Sequence, residues 1–225
     1  MRSGGERAAI ARLAAAGLPV SEVHAGRDDT PSHLVLRWIE GEPLSAAAPP
    51  SALREAGRLL RRVHAEPERR PDTIGEWMMD WTTWILAWLA DFADVPARRC
   101  DEIRAWCLRL QPLMTGRGTL TLLDGRPEHF VVRDGRIAGL IDLEDVSAGD
   151  PAMDLAVLAV ADEDLLPAVL EGYAPTSAEA AAFDELIPFY VLLRRLAAAK
   201  WEREHGDPAR TTRLLEQVSR TRTSP

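Results

Sequence analysis

Apolar positions along this chain change period several times, and the changes divide it into a short mixed segment, a long helical stretch, a hairpin and a second helical run. In residues 6–16, Ile10 and Leu13 recur at helical spacing among alanines, and Gly17 with Pro19 supplies a stop. Residues 20–25 and 33–39 are rich in β-branched and bulky side chains. They flank the breaker-rich run Gly26-Arg27-Asp28-Asp29-Thr30-Pro31, which predicts a hairpin beside the helix. Residues 41–50 read as a linker, after which Ser51 caps a helix carrying Leu53, Ala56, Leu60 and Val63 on one face.

The pattern then stays helical to Leu110. Trp77, Trp81, Trp84 and Trp88 fall on one helical stripe, which reads as a core-facing seam, with a stacking wall for a ligand or partner as the alternative. A further helix follows Pro96, with Ile103, Trp106, Cys107 and Leu110 inward. Residues 115–118 read as a turn. In residues 119–142 the period becomes that of a strand, and Asp134-Gly135 between apolar runs predicts a tight hairpin. Helices are expected again at about 151–160, 162–172, 177–204 and 207–219, before a polar tail from residue 220.

Composition narrows the partners. With 225 residues, 46% of them apolar, the chain can bury a sizeable core. Its apolar runs are far shorter than the ~20 residues that span a bilayer, and no signal-like segment opens it, so no membrane contact and a cytoplasmic setting are expected. A formal charge of −8 argues against nucleic acid and suits a cationic substrate or plain solubility. Cys100 and Cys107 sit about 10 Å apart along one predicted helix, too far to bridge. Lys200 is the chain's single lysine.

The chemistry concentrates in residues 122–155. Asp124 precedes the hairpin and Asp142 ends it, so folding brings two carboxylates together, one able to take a proton while the other holds a cation. The run Leu122-Leu123-Asp124-Gly125-Arg126-Pro127-Glu128-His129, then Ile141-Asp142-Leu143-Glu144-Asp145, then Gly149-Asp150-Pro151 with Asp154, resembles the catalytic segment of aminoglycoside phosphotransferases and choline kinase-like proteins. The resemblance extends to residues 14–20, 34–44, 59–65 and 189–196, nearly the whole chain.

The resemblance implies an α+β, protein-kinase-like fold: a reduced N-lobe in residues 1–44 and a helical C-lobe in residues 45–225 with its catalytic hairpin at 119–142. By it, Asp124 is the base that deprotonates an acceptor hydroxyl, Asp142 binds magnesium, and Asp150 and Asp154 brace the loop. Leu36, Arg37, Trp38 and Ile39 would border the adenine of ATP. The family's His-Gly ahead of the aspartate is here Leu122-Leu123, and its asparagine is His129, a metal ligand or acid–base group; Glu144, with Asp145, is a supplementary metal ligand. The glycine-rich strands and the phosphate-gripping lysine of the family are not matched, which leaves Arg2, Arg7 or Arg12 as substitutes.

Three functions follow as expectations. The first is ATP-dependent phosphorylation of a small-molecule or peptide hydroxyl, the acceptor being cationic. The second is a pseudokinase-type scaffold that docks a partner protein, or a second copy, at the reduced N-lobe. The third is nucleotide-independent acid–base chemistry on a natural product or modified peptide.

Overall fold

The computed structural model describes residues 3–27, 33–92 and 96–221. Residues 28–31 of the expected turn, Arg2 and residues 222–225 of the expected tail lie outside them. The chain opens with α1 (Ser3–Ala15), which ends at Gly17 in a left-handed conformation with φ 71°, followed by the antiparallel pair β1 (Val23–Arg27) and β2 (His33–Leu36). The hairpin beside a helix is as expected.

The expected linker, by contrast, contains a short strand, β3 (Glu42–Pro43), which pairs with β5 (Phe130–Arg133). The preceding Gly41 has φ 151°, and a side chain there would run into the carbonyl of Val132. Ser51 lies inside α2 (Pro50–His64), whose N-cap is Pro49, and its hydroxyl donates to the Gly135 carbonyl at 3.2 Å. It therefore ties the helix to the hairpin turn instead of capping.

Helices α3 (Ile74–Phe92) and α4 (Ala97–Leu110) follow. The inward residues expected of α4 are buried. The tryptophan stripe of α3 borders the core, with Trp77, Trp81 and Trp88 packed against it. Ile74, Met78, Ile85, Leu86 and Leu89 fill the core, while Trp77, Trp81 and Trp88 are half-buried and Trp84 is exposed. Cations also cap the rings: Arg70 lies 3.9 Å from the Trp77 centroid, Arg194 5.6 Å from Trp81 and Lys200 5.3 Å from Trp84. Indoles at a rim keep one face for a cation while covering apolar surface.

Next come β4 (Thr119–Thr121), β5, β6 (Arg136–Leu140) and β7 (Ser147–Gly149). Asp134 and Gly135 both have positive φ, 53° and 73°, the conformation a two-residue hairpin turn needs. Strand β4 pairs antiparallel with β7, so residues 122–146 form an excursion whose ends are clamped together.

The remaining helices are α5 (Pro151–Ala161), α6 (Leu166–Tyr173), α7 (Ser177–His205) and α8 (Pro208–Arg220), close to the expected spans. Most of α5 is buried, which explains why its apolar residues show no single face. Helices α2 and α6 touch backbone to backbone at Gly57 and Gly172, where a methyl group would overlap the carbonyls of Val169 and Arg54. Leu13 and Leu18 of the N-terminal part join the same core as Phe130, Leu155 and Phe189.

Candidate active site

Asp154, fully buried on α5, organises the loop before the hairpin. Its carboxylate accepts the backbone N–H of Leu122 and of Leu123, each at 2.8 Å, and faces His64 Nε2 at 3.0 Å. His64 Nδ1 lies 3.0 Å from the Tyr173 hydroxyl, so α2, α5 and α6 meet in one buried polar chain. A buried carboxylate needs partners for both oxygens, and here Leu122, Leu123 and His64 supply them.

Leu123 is held at φ 61° between two anchors, its N–H on Asp154 and its carbonyl on the Arg194 guanidinium from α7. A β-carbon in the left-handed region costs roughly 1 kcal/mol, which explains the glycine the related motif carries at this place. Asp150 caps α5 by accepting from Ala152 N–H at 2.9 Å and also accepts from Thr115 N–H at 2.7 Å. The turn at 115–118 thereby joins the brace. Burial pushes the Asp150 carboxyl above the ordinary carboxylate range, against these bonds.

The hairpin places Asp124 and Asp142 at one guanidinium. Arg126 Nε is 3.1 Å from Asp124 Oδ2, and a terminal nitrogen of the same group is 3.9 Å from Asp142 Oδ2. Desolvation raises the Asp124 pKa, against the pull of Arg126, Arg194 and His129. Asp142 sits at φ 56°, again left-handed. The next residue, Leu143, gives its N–H to Glu6 of α1 at 3.5 Å, so the first helix touches the loop after the hairpin. Glu144 stands close by; desolvation raises its pKa, helped by Asp142 and Asp145.

His129 has a defined tautomer. Its Nδ1 lies 2.7 Å from the Asp124 carbonyl oxygen, which can only accept, so Nδ1 donates there, while Nε2 faces a terminal nitrogen of Arg126 at 3.1 Å, which can only donate to it. Nε2 also lies 3.3 Å from Asp142 Oδ2. A histidine whose other nitrogen is fixed by a backbone carbonyl presents its Nε2 in a fixed direction, here toward Asp142. Among the described residues no group of three or more His, Cys, Asp or Glu is arranged to hold a metal. A cation here would take one carboxylate and one imidazole and draw the rest from phosphate and water; the carboxylate suits magnesium, which prefers oxygen donors, and the imidazole suits it less.

The other expected contacts are laid out less compactly. Arg37 uses its N–H on the Glu22 carbonyl at 2.8 Å and its own carbonyl on the Ser21 hydroxyl, which commits both backbone groups. Trp38 is 83% exposed, and Ile39 packs over Gly139 of β6. Lys200 pairs with Glu204 over Trp84. A cavity of about 550 Å3, lined by Arg61, His64, Thr115, Asp150, Tyr173 and Phe183, lies behind the brace and includes neither Asp124 nor Asp142.

Sequence reasoning passed over Arg126, Arg194, Glu6 and His64. Arg126 stood two residues after Asp124 and was legible as a cation beside a carboxylate. Arg194 and Glu6 reach the site from distant elements, for which the sequence carries no signal.

This combination of a mainly helical body and a hairpin with an acid at each end defines a phosphotransferase-type fold. Over residues 2–189 the chain matches the phosphotransferase enzyme family, and it belongs to that family. Solved structures agree on the fold. A choline/ethanolamine kinase family protein from Mesorhizobium loti is 20% identical with a TM-score of 0.74, the match covering 99% of this chain and 79% of that one. The gentamicin complex of APH(2")-IIa is 14% identical with a TM-score of 0.71, covering 97% and 80%. Macrolide 2'-phosphotransferase MphH from Brachybacterium faecium is 20% identical with a TM-score of 0.61, covering 99% and 83%. Among curated proteins none matches the sequence.

Proposed function

We propose that this protein transfers a phosphoryl group from a nucleoside triphosphate, ATP in the first instance, to a hydroxyl of a small molecule or peptide. The observation that carries the reading is the meeting of Asp124 and Asp142, from opposite ends of one hairpin, at a single guanidinium. Asp124 takes the acceptor's proton as the oxygen attacks, and its partial desolvation makes it a stronger base than an exposed aspartate. Asp142 Oδ2 and His129 Nε2 hold the cation, with Glu144 and Asp145 adding negative potential beside it. Magnesium, when bound, would neutralise charge on the phosphate oxygens. The segment Leu36, Arg37, Trp38 and Ile39 borders the base, with Ile39 fixed on the hairpin strand and Trp38 at the mouth.

The net charge of −8 favours a cationic acceptor. Structures of similar fold include complexes with gentamicin and with streptomycin and ATP, which makes amino-bearing polyols the first compounds to offer. The reading predicts acceptor-dependent conversion of MgATP to ADP that Asp124→Asn slows by about 10²–10⁴-fold. A protein that neither turns over MgATP nor is stabilised by it against heat would overturn the assignment. A nucleotide-free scaffold is the second reading. It is favoured by the chain's single lysine, Lys200, being paired with Glu204 over Trp84, and that same null result would support it.

A further inference from the structure

Transfer by Asp124 with Asp142 and His129 gives Arg126 no task, yet its guanidinium touches all three and Glu128 as well. One terminal nitrogen lies 3.3 Å from Glu128 Oε1; the other lies 3.1 Å from His129 Nε2 and 3.9 Å from Asp142 Oδ2. Those last two atoms are both electron-pair donors, 3.3 Å apart. The group that faces both of them in this structure is the cationic guanidinium.

A divalent ion would have to bind the same two atoms. A dication and a guanidinium within about 4 Å repel strongly in a partly desolvated site, so the two are alternatives at one place. The side chain is built to yield. It is 46% exposed, and its Nε and first terminal nitrogen have their own partners in Asp124 and Glu128.

We propose that Arg126 is a resident competitor for the divalent cation, holding Asp142 and His129 together while no metal is present and releasing them when it enters. The proposal rests on the reading of those two residues as the cation pair. Metal then loads poorly on its own and well with a nucleotide, whose phosphates offset the arginine charge and give the freed guanidinium a new partner. This ties cation loading to nucleotide loading without a second site.

Manganese titration without nucleotide, followed by the electron-spin resonance of the free ion, tests this on the full chain. Arg126→Gln and Arg126→Ala are each expected to bind Mn2+ at least about tenfold more tightly than the unaltered protein, because a fixed positive charge is gone. Adding Asp142→Asn is expected to abolish that binding. Equal or weaker binding in both arginine variants, with Asp142→Asn still abolishing it, overturns the competition and leaves the cation pair standing. Binding that survives Asp142→Asn, or none by any variant, overturns the pair and the competition together. A measurement without arginine variants runs alongside: the Arg126 Nε–H resonance is expected to shift as Mg2+ saturates the protein, and a resonance unmoved at saturation overturns the proposal.

Discussion

Asp124 can act as a base only while ionised, and its surroundings work against ionisation. Because burial raises its pKa, the acid limb of the rate–pH profile is expected at a pH above that of an ordinary aspartate. The sign for stability follows from the same shift. A carboxyl whose folded pKa is raised favours folding fully below its unfolded pKa, and that contribution is lost as pH rises through the folded value. Asp124→Asn, a neutral isostere, is therefore expected to cut turnover by about 10²–10⁴-fold while the melting temperature at pH 7 stays level or rises. Turnover at several pH values and thermal melts of both proteins check the pair of outcomes.

At the scale of elements, the site is a loop held from beneath. Asp154 on α5 satisfies two backbone N–H groups of the loop and the ring of His64 at once. Asp154→Ala orphans all three donors, and a loss of about 3–5 kcal/mol in denaturant unfolding is expected. His64→Ala breaks one of those contacts and should cost less. Packing supplies another test. Helices α2 and α6 approach through Gly57 and Gly172, and the added methyl of Gly172→Ala meets the Arg54 carbonyl, part of a helix backbone that cannot swing aside. Overpacking of that kind costs about 1–3 kcal/mol and is read from the same unfolding curves.

Much at this scale was legible. The Asp134-Gly135 turn, α4, α7 and α8 follow from local rules that the tertiary structure had no reason to override. The strand at Glu42–Pro43 was not legible, because it forms only when β5 is there to pair with it. The placement of α3 was legible in part. Three of its four indoles pack against the core as their spacing suggests, but cations from α7 and from Arg70 lie over Trp77, Trp81 and Trp84, and smaller apolar residues fill the interior.

Across the whole molecule one core runs from α1 to α7. Leu13 is fully buried and Leu18 nearly so, in the same cluster as the hairpin and α5, and Arg62 of α2 donates to the Ala16 carbonyl at 2.7 Å. The N-terminal part and the helical body should therefore unfold together. A single transition in urea, coincident by tryptophan fluorescence and circular dichroism, is the expected result. Removal of residues 1–18 is expected to lower the melting temperature and expose apolar surface to a hydrophobic dye.

By itself the sequence determined most of the helices, the Asp134-Gly135 hairpin and the order Asp124, Asp142, Asp150, Asp154, since helix and strand periods, turn residues and residue order are local properties of the chain. Only the tertiary structure decided what those residues meet. The Arg126 bridge between two acids, the His129 tautomer, the Arg194 and Glu6 contacts and the buried Asp154 node join atoms separated by turns or whole helices. Such contacts depend on packing in three dimensions, for which one-dimensional spacing has no mark.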